Sequence, residues 1–271
     1  MGESISSIST SELGGRIGSR DCPVIIDVRR PPAFAEADTM IPTARWRDLR
    51  LADEWIGELP DDTDIVVYCV HGHEMSQSAV AHLQTRGRRA HYLAGGIEAY
   101  AQDGGPLIRK AALPAGDSRR PSRWITRERP KIDRIACPWL IRRFVDRDAV
   151  FYFVASESVA TVARELEAVP FDIPGVDFSH DGERCSFDAF IARFGLVDPA
   201  LDQLAIIVRG ADTARLDLAP QAAGLLAASL GLSAICPDDR EMLKEGMLLY
   251  DALYGWCRSA ASETHGWPPR A

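Results

Sequence analysis

Between Gly104 and Lys131 the chain loses all periodic patterning and turns to Gly, Pro, Ser and Arg, in runs such as Asp117-Ser-Arg-Arg-Pro-Ser-Arg-Trp124 and Arg127-Glu-Arg-Pro-Lys131. A stretch of that kind cannot supply a core, so it divides the chain into two segments that must each bury their own. The length of 271 residues suits two cores of ordinary size, and an apolar content of 46% with nine Phe and six Trp provides the material. The expected division is a domain over 1–110, a linker over 111–131, a domain over 132–258 and a flexible tail over 259–271.

Charge narrows the partners. A net charge of −8 opposes a polyphosphate backbone, which argues against nucleic acid. Arg119, Arg120, Arg123, Arg127, Arg129 and Lys131 read as a solvated linker rather than a grip, although Trp124 hints that part of it docks on a core. No run is apolar enough to span a bilayer, and Met1 to Thr10 lacks the basic-then-apolar order of a signal peptide, so the expected location is cytoplasmic. The six cysteines are scattered without a CxxC pair, and reduced thiols are expected.

In the first segment, β-rich runs at Val24 to Val28, Ile65 to Val70 and His91 to Leu93 alternate with helical periodicity, clearest in Met75, Ala79, Val80 and Leu83 before the stop at Gly87. That alternation predicts an α/β fold with a parallel sheet flanked by helices. The second segment predicts a helix-rich α+β domain. Helical spacing is carried by Ile135, Leu140, Ile141 and Phe144, by Val159, Val162, Leu166 and Val169, and by Phe187, Phe190, Ile191 and Phe194. Further helices are expected over Leu201 to Val208, Ala219 to Leu230 and Met242 to Trp256, and strands at Val150 to Val154 and Val176 to Phe178.

The sharpest local signal is Ile65-Val-Val-Tyr-Cys69-Val-His-Gly-His-Glu-Met75-Ser76, a cysteine at the end of a β-branched strand, then a short loop, then a helix. A strand–loop–helix crossover aims backbone N–H groups and the positive end of the helix dipole at the sulfur, a setting that favours an anionic, nucleophilic form. Gly72 lets the loop curl. A phosphatase-type cradle would need an arginine closing the loop, and none occurs between Cys69 and Arg86.

Three motifs in order, Ile25-Ile-Asp-Val-Arg29, the Cys69 loop and Tyr92-Leu-Ala-Gly-Gly96-Ile-Glu-Ala-Tyr100, give the first segment a close resemblance to the rhodanese family. Members pass a sulfane sulfur from a small-molecule donor to the cysteine, as a persulfide, and then to a thiol or other thiophilic acceptor, with no cofactor. The resemblance implies that Cys69 is the catalytic sulfur carrier and that Val70, His71, Gly72, His73, Glu74 and Met75 form the substrate cradle. It implies too that Arg29 assists an anionic donor while Asp27 is structural. The loop departs from many members in carrying His71, His73 and Glu74 in place of Arg or Lys, and an acidic side chain there disfavours thiosulfate.

In the second segment Cys137 precedes Pro138 at an apparent helix start, Cys185 precedes another, His180 lies just upstream, and Asp133 is one turn before Cys137. Cys137, His180, Cys185 and Asp133 are therefore candidates to hold a transition metal or an oxyanion, against the alternative of core thiols and a satisfied histidine. Their spacing is not a zinc signature. Arg209 and Asp212 either line a pocket or pair, and Cys236 and Cys257 read as structural.

Arg129 through Arg143, Phe171-Asp-Ile-Pro-Gly175, His180 through Phe187, Val208-Arg-Gly-Ala-Asp212 and Leu218 through Gly224 together resemble the carboxy-terminal domain of the chromate-resistance protein B family. That resemblance implies a tie to chromate or metal stress, with chromate a candidate ligand. The leading expectation is a sulfurtransferase acting through a Cys69 persulfide. The competing one is a chromate- or redox-responsive sensor or adaptor without significant turnover.

Overall fold

The computed structural model describes residues 5–114 and 120–263. They form two compact units. One holds the chain up to Pro121 together with Ile141–Asp148 and Phe194–Leu196, and the other holds Ser122–Leu140, Ala149–Arg193 and the chain from Val197 onward. Residues 115–119 of the expected linker, with Arg119 among them, and 264–271 of the expected tail lie outside the described residues.

The first unit runs β1 (Ser7–Ile8), α1 (Thr10–Arg16), β2 (Val24–Asp27), α2 (Pro31–Glu36), β3 (Thr39–Met40), β4 (Arg45–Trp46), α3 (Ala52–Ile56), β5 (Ile65–Tyr68), α4 (Glu74–Thr85), β6 (Ala90–Leu93), α5 (Gly96–Gln102) and β7 (Ile108–Arg109). Its parallel sheet has the order β1-β6-β5-β2-β4, as the alternation predicts, and β3 pairs with β7 in a small antiparallel ribbon. Every residue of β2 and β5 is buried, as suits strands covered by helices on both faces, and Asp27 at the end of β2 is the one charged residue among them. Along β5, Ile65 and Val67 share a core cluster with Cys69, and α3 and α4 contribute Trp55, Ile56, Ala79, Val80 and Leu83 to it. Two-residue alternation thus puts the cysteine on the face that α4 covers, at the carboxyl end of the middle strand.

One buried ion pair fixes the turn after β2. Arg29 and Asp27 are 3% and 0% exposed at the side chain and 2.7 Å apart. Arg29 also donates to the Thr39 carbonyl, while the Tyr68 hydroxyl donates to Asp27 at 2.8 Å, tying β2 to β5. Residues 141–148, expected in the second domain, pack with the first unit instead: the Thr43 N–H donates to the Phe144 carbonyl, and Arg45 pairs with Asp146 and Asp148 at 3.1 and 2.8 Å.

The second unit runs β8 (Arg123–Arg127), α6 (Asp133–Leu140), β9 (Val150–Val154), α7 (Val159–Glu165), β10 (Val169–Pro170), α8 (Ser186–Phe194), α9 (Pro199–Asp212), α10 (Pro220–Ile235) and α11 (Asp239–Gly255). Its three strands are parallel in the order β10-β8-β9, and helices dominate. Four expectations change, the first being that Val169, expected on the helix of Val159, Val162 and Leu166, lies in β10 beyond the end of α7 at Glu165. The central strand β8 lies where a linker was expected, with Trp124 wholly buried against Phe178 and Phe190. Val176 to Phe178 forms no strand, only an isolated bridge from Phe178 to Phe171. Helix α6 begins at Asp133, which places Cys137 and Pro138 inside it rather than at its start. No helix among the described residues is long and apolar enough to cross a membrane.

Removing the charge from Asp27 strands a buried guanidinium. Asp27→Asn is expected to cost about 3 kcal/mol or more of unfolding free energy in urea titrations followed by far-UV circular dichroism.

Candidate functional site

The Cys69 side chain is nearly buried, 7% exposed, with Sγ 3.4 Å from the Ser76 hydroxyl in the first turn of α4. Ser76 also donates to the His73 carbonyl at 3.1 Å. A hydroxyl has one proton, so while that bond stands its oxygen meets the sulfur as an acceptor, and a turn of the hydroxyl would let it donate to an ionised sulfur.

The loop's shape is set by α5. The amides of Ile97 and Glu98 donate to the carbonyls of Cys69 and Val70 at 3.0 and 3.2 Å. Because a trans peptide points its N–H opposite its C=O, the amides of Val70 and His71 face away from α5. Two glycines make the contact this close. Gly72 has φ +71° and a Cβ there would lie 2.5 Å from the Leu93 carbonyl oxygen, while Gly96 has φ +63° and a Cβ there would lie 2.3 Å from the Val70 carbonyl oxygen. The Gly95-Gly96 motif thus acts on the Cys69 loop from a neighbouring crossover, and Gln77 steadies it further by donating to the Gly72 carbonyl at 3.1 Å.

Among the cradle residues, Gly72 is buried, Val70 and Met75 are half-buried, and His71, His73 and Glu74 are exposed. His71 pairs with Glu98 through Nδ1 at 3.0 Å, and its ring lies 6.0 Å from that of His73. Arg29, expected to assist an anionic donor, is corrected: it is buried, and its guanidinium is committed to Asp27 and the Thr39 carbonyl. Sequence reasoning did not single out Ser76 or Glu98. Their signal is positional, since each lies in the first turn of a helix that abuts the loop.

In the second unit four ligand-type side chains converge. The His180 Nε2 lies 3.3, 3.4 and 3.3 Å from carboxylate oxygens of Asp133, Asp172 and Asp212. Asp133 opens α6, Asp172 follows β10 and Asp212 closes α9. The hydrogen bond to Asp133 raises the pKa of His180. Burial, with Asp133 alongside, raises Asp172 and pushes Asp212 up to about 8. Three carboxylates suit a cation and repel an oxyanion.

Of the expected metal set, Asp133 and His180 are brought together, and Asp212 joins them with ligand atoms all within 4.8 Å of one another. Cys137 and Cys185 do not belong to that group. Both are wholly buried, and burial, with acidic neighbours, raises both thiols. Cys185 is spent on Asp188, to which its thiol and its N–H donate at 3.4 and 3.0 Å, while Arg209 neutralises Asp188. Burial likewise raises Cys22, and raises Cys257 to about 11. Asp172 went unrecognised as a site residue, although the Phe171-Asp-Ile-Pro-Gly175 motif contains it.

Comparison with known proteins agrees with the two-unit division. Residues 9–103 match the family described as a rhodanese-like domain. A protein of Allochromatium vinosum named sulfurtransferase is 30% identical over 104 residues, which are 38% of this chain and 95% of that protein. The chain belongs to the rhodanese family. Residues 124–257 match the family described as the ChrB C-terminal domain, so this rhodanese-family chain carries a ChrB-type domain behind its first unit. Protein ChrB of Cupriavidus metallidurans is 36% identical over 132 residues, 48% of this chain but only 39% of that protein's length. A rhodanese-related protein of Thermoplasma volcanium with a solved structure shares 25% identity, covering 38% of this chain and 97% of its own, at a TM-score of 0.34.

Two expectations follow for this rhodanese-family chain. Gly96→Ala adds left-handed strain and a backbone clash, so it should lower unfolding free energy by roughly 2 kcal/mol or more in urea titrations. Asp172, Asp212 and His180 all hold protons more tightly folded than unfolded, so their stabilisation is complete at acid pH and fades as pH rises through the folded values. In EDTA, the urea midpoint is therefore expected to fall between about pH 5 and about pH 8, and Asp212→Asn should flatten that slope.

Proposed function

We propose that this protein is a sulfurtransferase that carries sulfur on Cys69. The Cys69 thiolate attacks the sulfane sulfur of a donor; a new S–S bond forms as the bond from that sulfur to the rest of the donor breaks, and the leaving group departs with the electron pair. A thiophilic acceptor then attacks the terminal sulfur of the persulfide, and the electron pair of the broken S–S bond returns to Cys69 as thiolate. No cofactor is needed for either step.

The observation that carries this reading is the placement of Cys69 at the carboxyl end of the middle parallel strand, beside the first turn of α4, in a loop shaped by α5. In this reading the loop amides from Val70 to Met75 hold the persulfide's negative charge, and Ser76 supplies a further hydrogen bond. Its kinship with a protein named sulfurtransferase supports the same chemistry. The rim sets the donor class. With His71, His73, Glu74 and Glu98 around the mouth and Arg29 withdrawn into the core, no fixed arginine or lysine of the loop awaits a dianion, which favours a weakly charged persulfide donor over thiosulfate. Likeness to the ChrB C-terminal domain supports placing this activity in a response to chromate or metal stress.

The test is intact mass after incubation with a low-molecular-weight persulfide. One added sulfur is expected on the wild-type chain and none on Cys69→Ser, with sulfur release to cyanide lost in the variant; equal loading or equal release in both would end the assignment.

A further inference from the structure

Outside the Cys69 loop, ligand-type groups gather around His180 among the described residues. Asp133, Asp172 and Asp212 are 3%, 5% and 14% exposed at the side chain, and His180, at 42%, is the face open to solvent. Asp172 has cations of its own, Arg127 at 2.6 Å and Arg134 at 3.3 Å, and accepts from the Ser186 hydroxyl. Among the described residues, Asp133 and Asp212 pair with His180 and with each other. A single Nε2–H donates to one acceptor at a time, so it cannot serve the carboxyl groups of Asp133 and Asp212 at once.

A second observation, independent of the cluster, points the same way. Arg127 ends β8 and Asp172 follows β10, so the group sits at the carboxyl ends of parallel strands, where α/β sheets receive ligands. One residue inside that end, the Thr126 hydroxyl is wholly buried and has no hydrogen-bond partner among the described residues. Alternation along β8 puts Thr126 on the side of Trp124, which packs on Phe190 of α8, the helix whose first residue, Ser186, reaches Asp172. A buried hydroxyl left without a partner, on the side of β8 from which α8 reaches Asp172, points to a group that accepts its lone pair.

We propose that Asp133, His180 and Asp212 bind one divalent first-row transition cation, with Asp172 beside them as a further oxygen donor. Ligand atoms within 4.8 Å of one another can close on an ion at metal–ligand distances of about 2.0–2.2 Å with small rotamer changes. Oxygen and imidazole donors suit Mn2+, Co2+ and Zn2+ without thiolate, and Cys137 and Cys185 stay protonated and outside the coordination shell. The half-exposed imidazole is the entry path.

Calorimetric titration of the full chain with Mn2+, Zn2+ and Co2+ tests this. At least one of the three is expected to bind at one ion per chain, with affinity lowered about tenfold or more in His180→Gln and in Asp212→Asn. His180 is partly exposed, so His180→Gln decides the matter if the aspartate variant does not fold. The Co2+ complex should show ligand-field bands without a thiolate-to-cobalt charge-transfer band. Failure of all three ions to bind, affinity unchanged in His180→Gln, or a thiolate band would each overturn the proposal.

Discussion

The contact on which the candidate active site depends is made by main chain on main chain. Two amides at the start of α5 take the carbonyls of Cys69 and Val70, and the absence of a Cβ at Gly72 and Gly96 lets the two crossovers meet. Side chains can vary at His71, His73 and Glu74 without disturbing it, because none of them supplies those bonds. The loop is thereby a fixed frame with an exchangeable rim, so a difference in substrate preference can arise at the rim while the frame around the sulfur is kept.

Much of the first unit could be read from sequence because its information is local. The runs Val24 to Ile26 and Ile65 to Val70 are apolar throughout, as a strand buried on both faces asks. The second unit hid its centre. Strand β8, Arg-Trp-Ile-Thr-Arg between prolines, has polar ends and the composition of a linker, and becomes a strand only because β9 and β10 pair with it on both sides. Conversely, Val176 to Phe178 has strand-like residues but gains no ladder partner beyond one bridge.

The second site shows the same limit at the level of single residues. Helix-start reasoning drew attention to Cys137 and Cys185, but the helix opens four residues before Cys137, and both thiols end in the core. The acids that gather round His180 come from the start of α6, the exit of β10 and the end of α9, a meeting that no local spacing announces. Asp133 and His180 were legible as a pair; Asp172 and Asp212 needed the tertiary fold. The two sites differ in kind, one built on a soft sulfur, the other on hard oxygens and an imidazole.

Keeping Cys22, Cys137, Cys185 and Cys257 protonated has a bearing on the fidelity of sulfur relay. A neutral thiol is a poor acceptor, so in the proposed relay a sulfur on Cys69 would find no ready thief among these four, within its own chain or on a colliding copy. Under that proposal the cargo would be held for its recipient by the sluggishness of the bystanders.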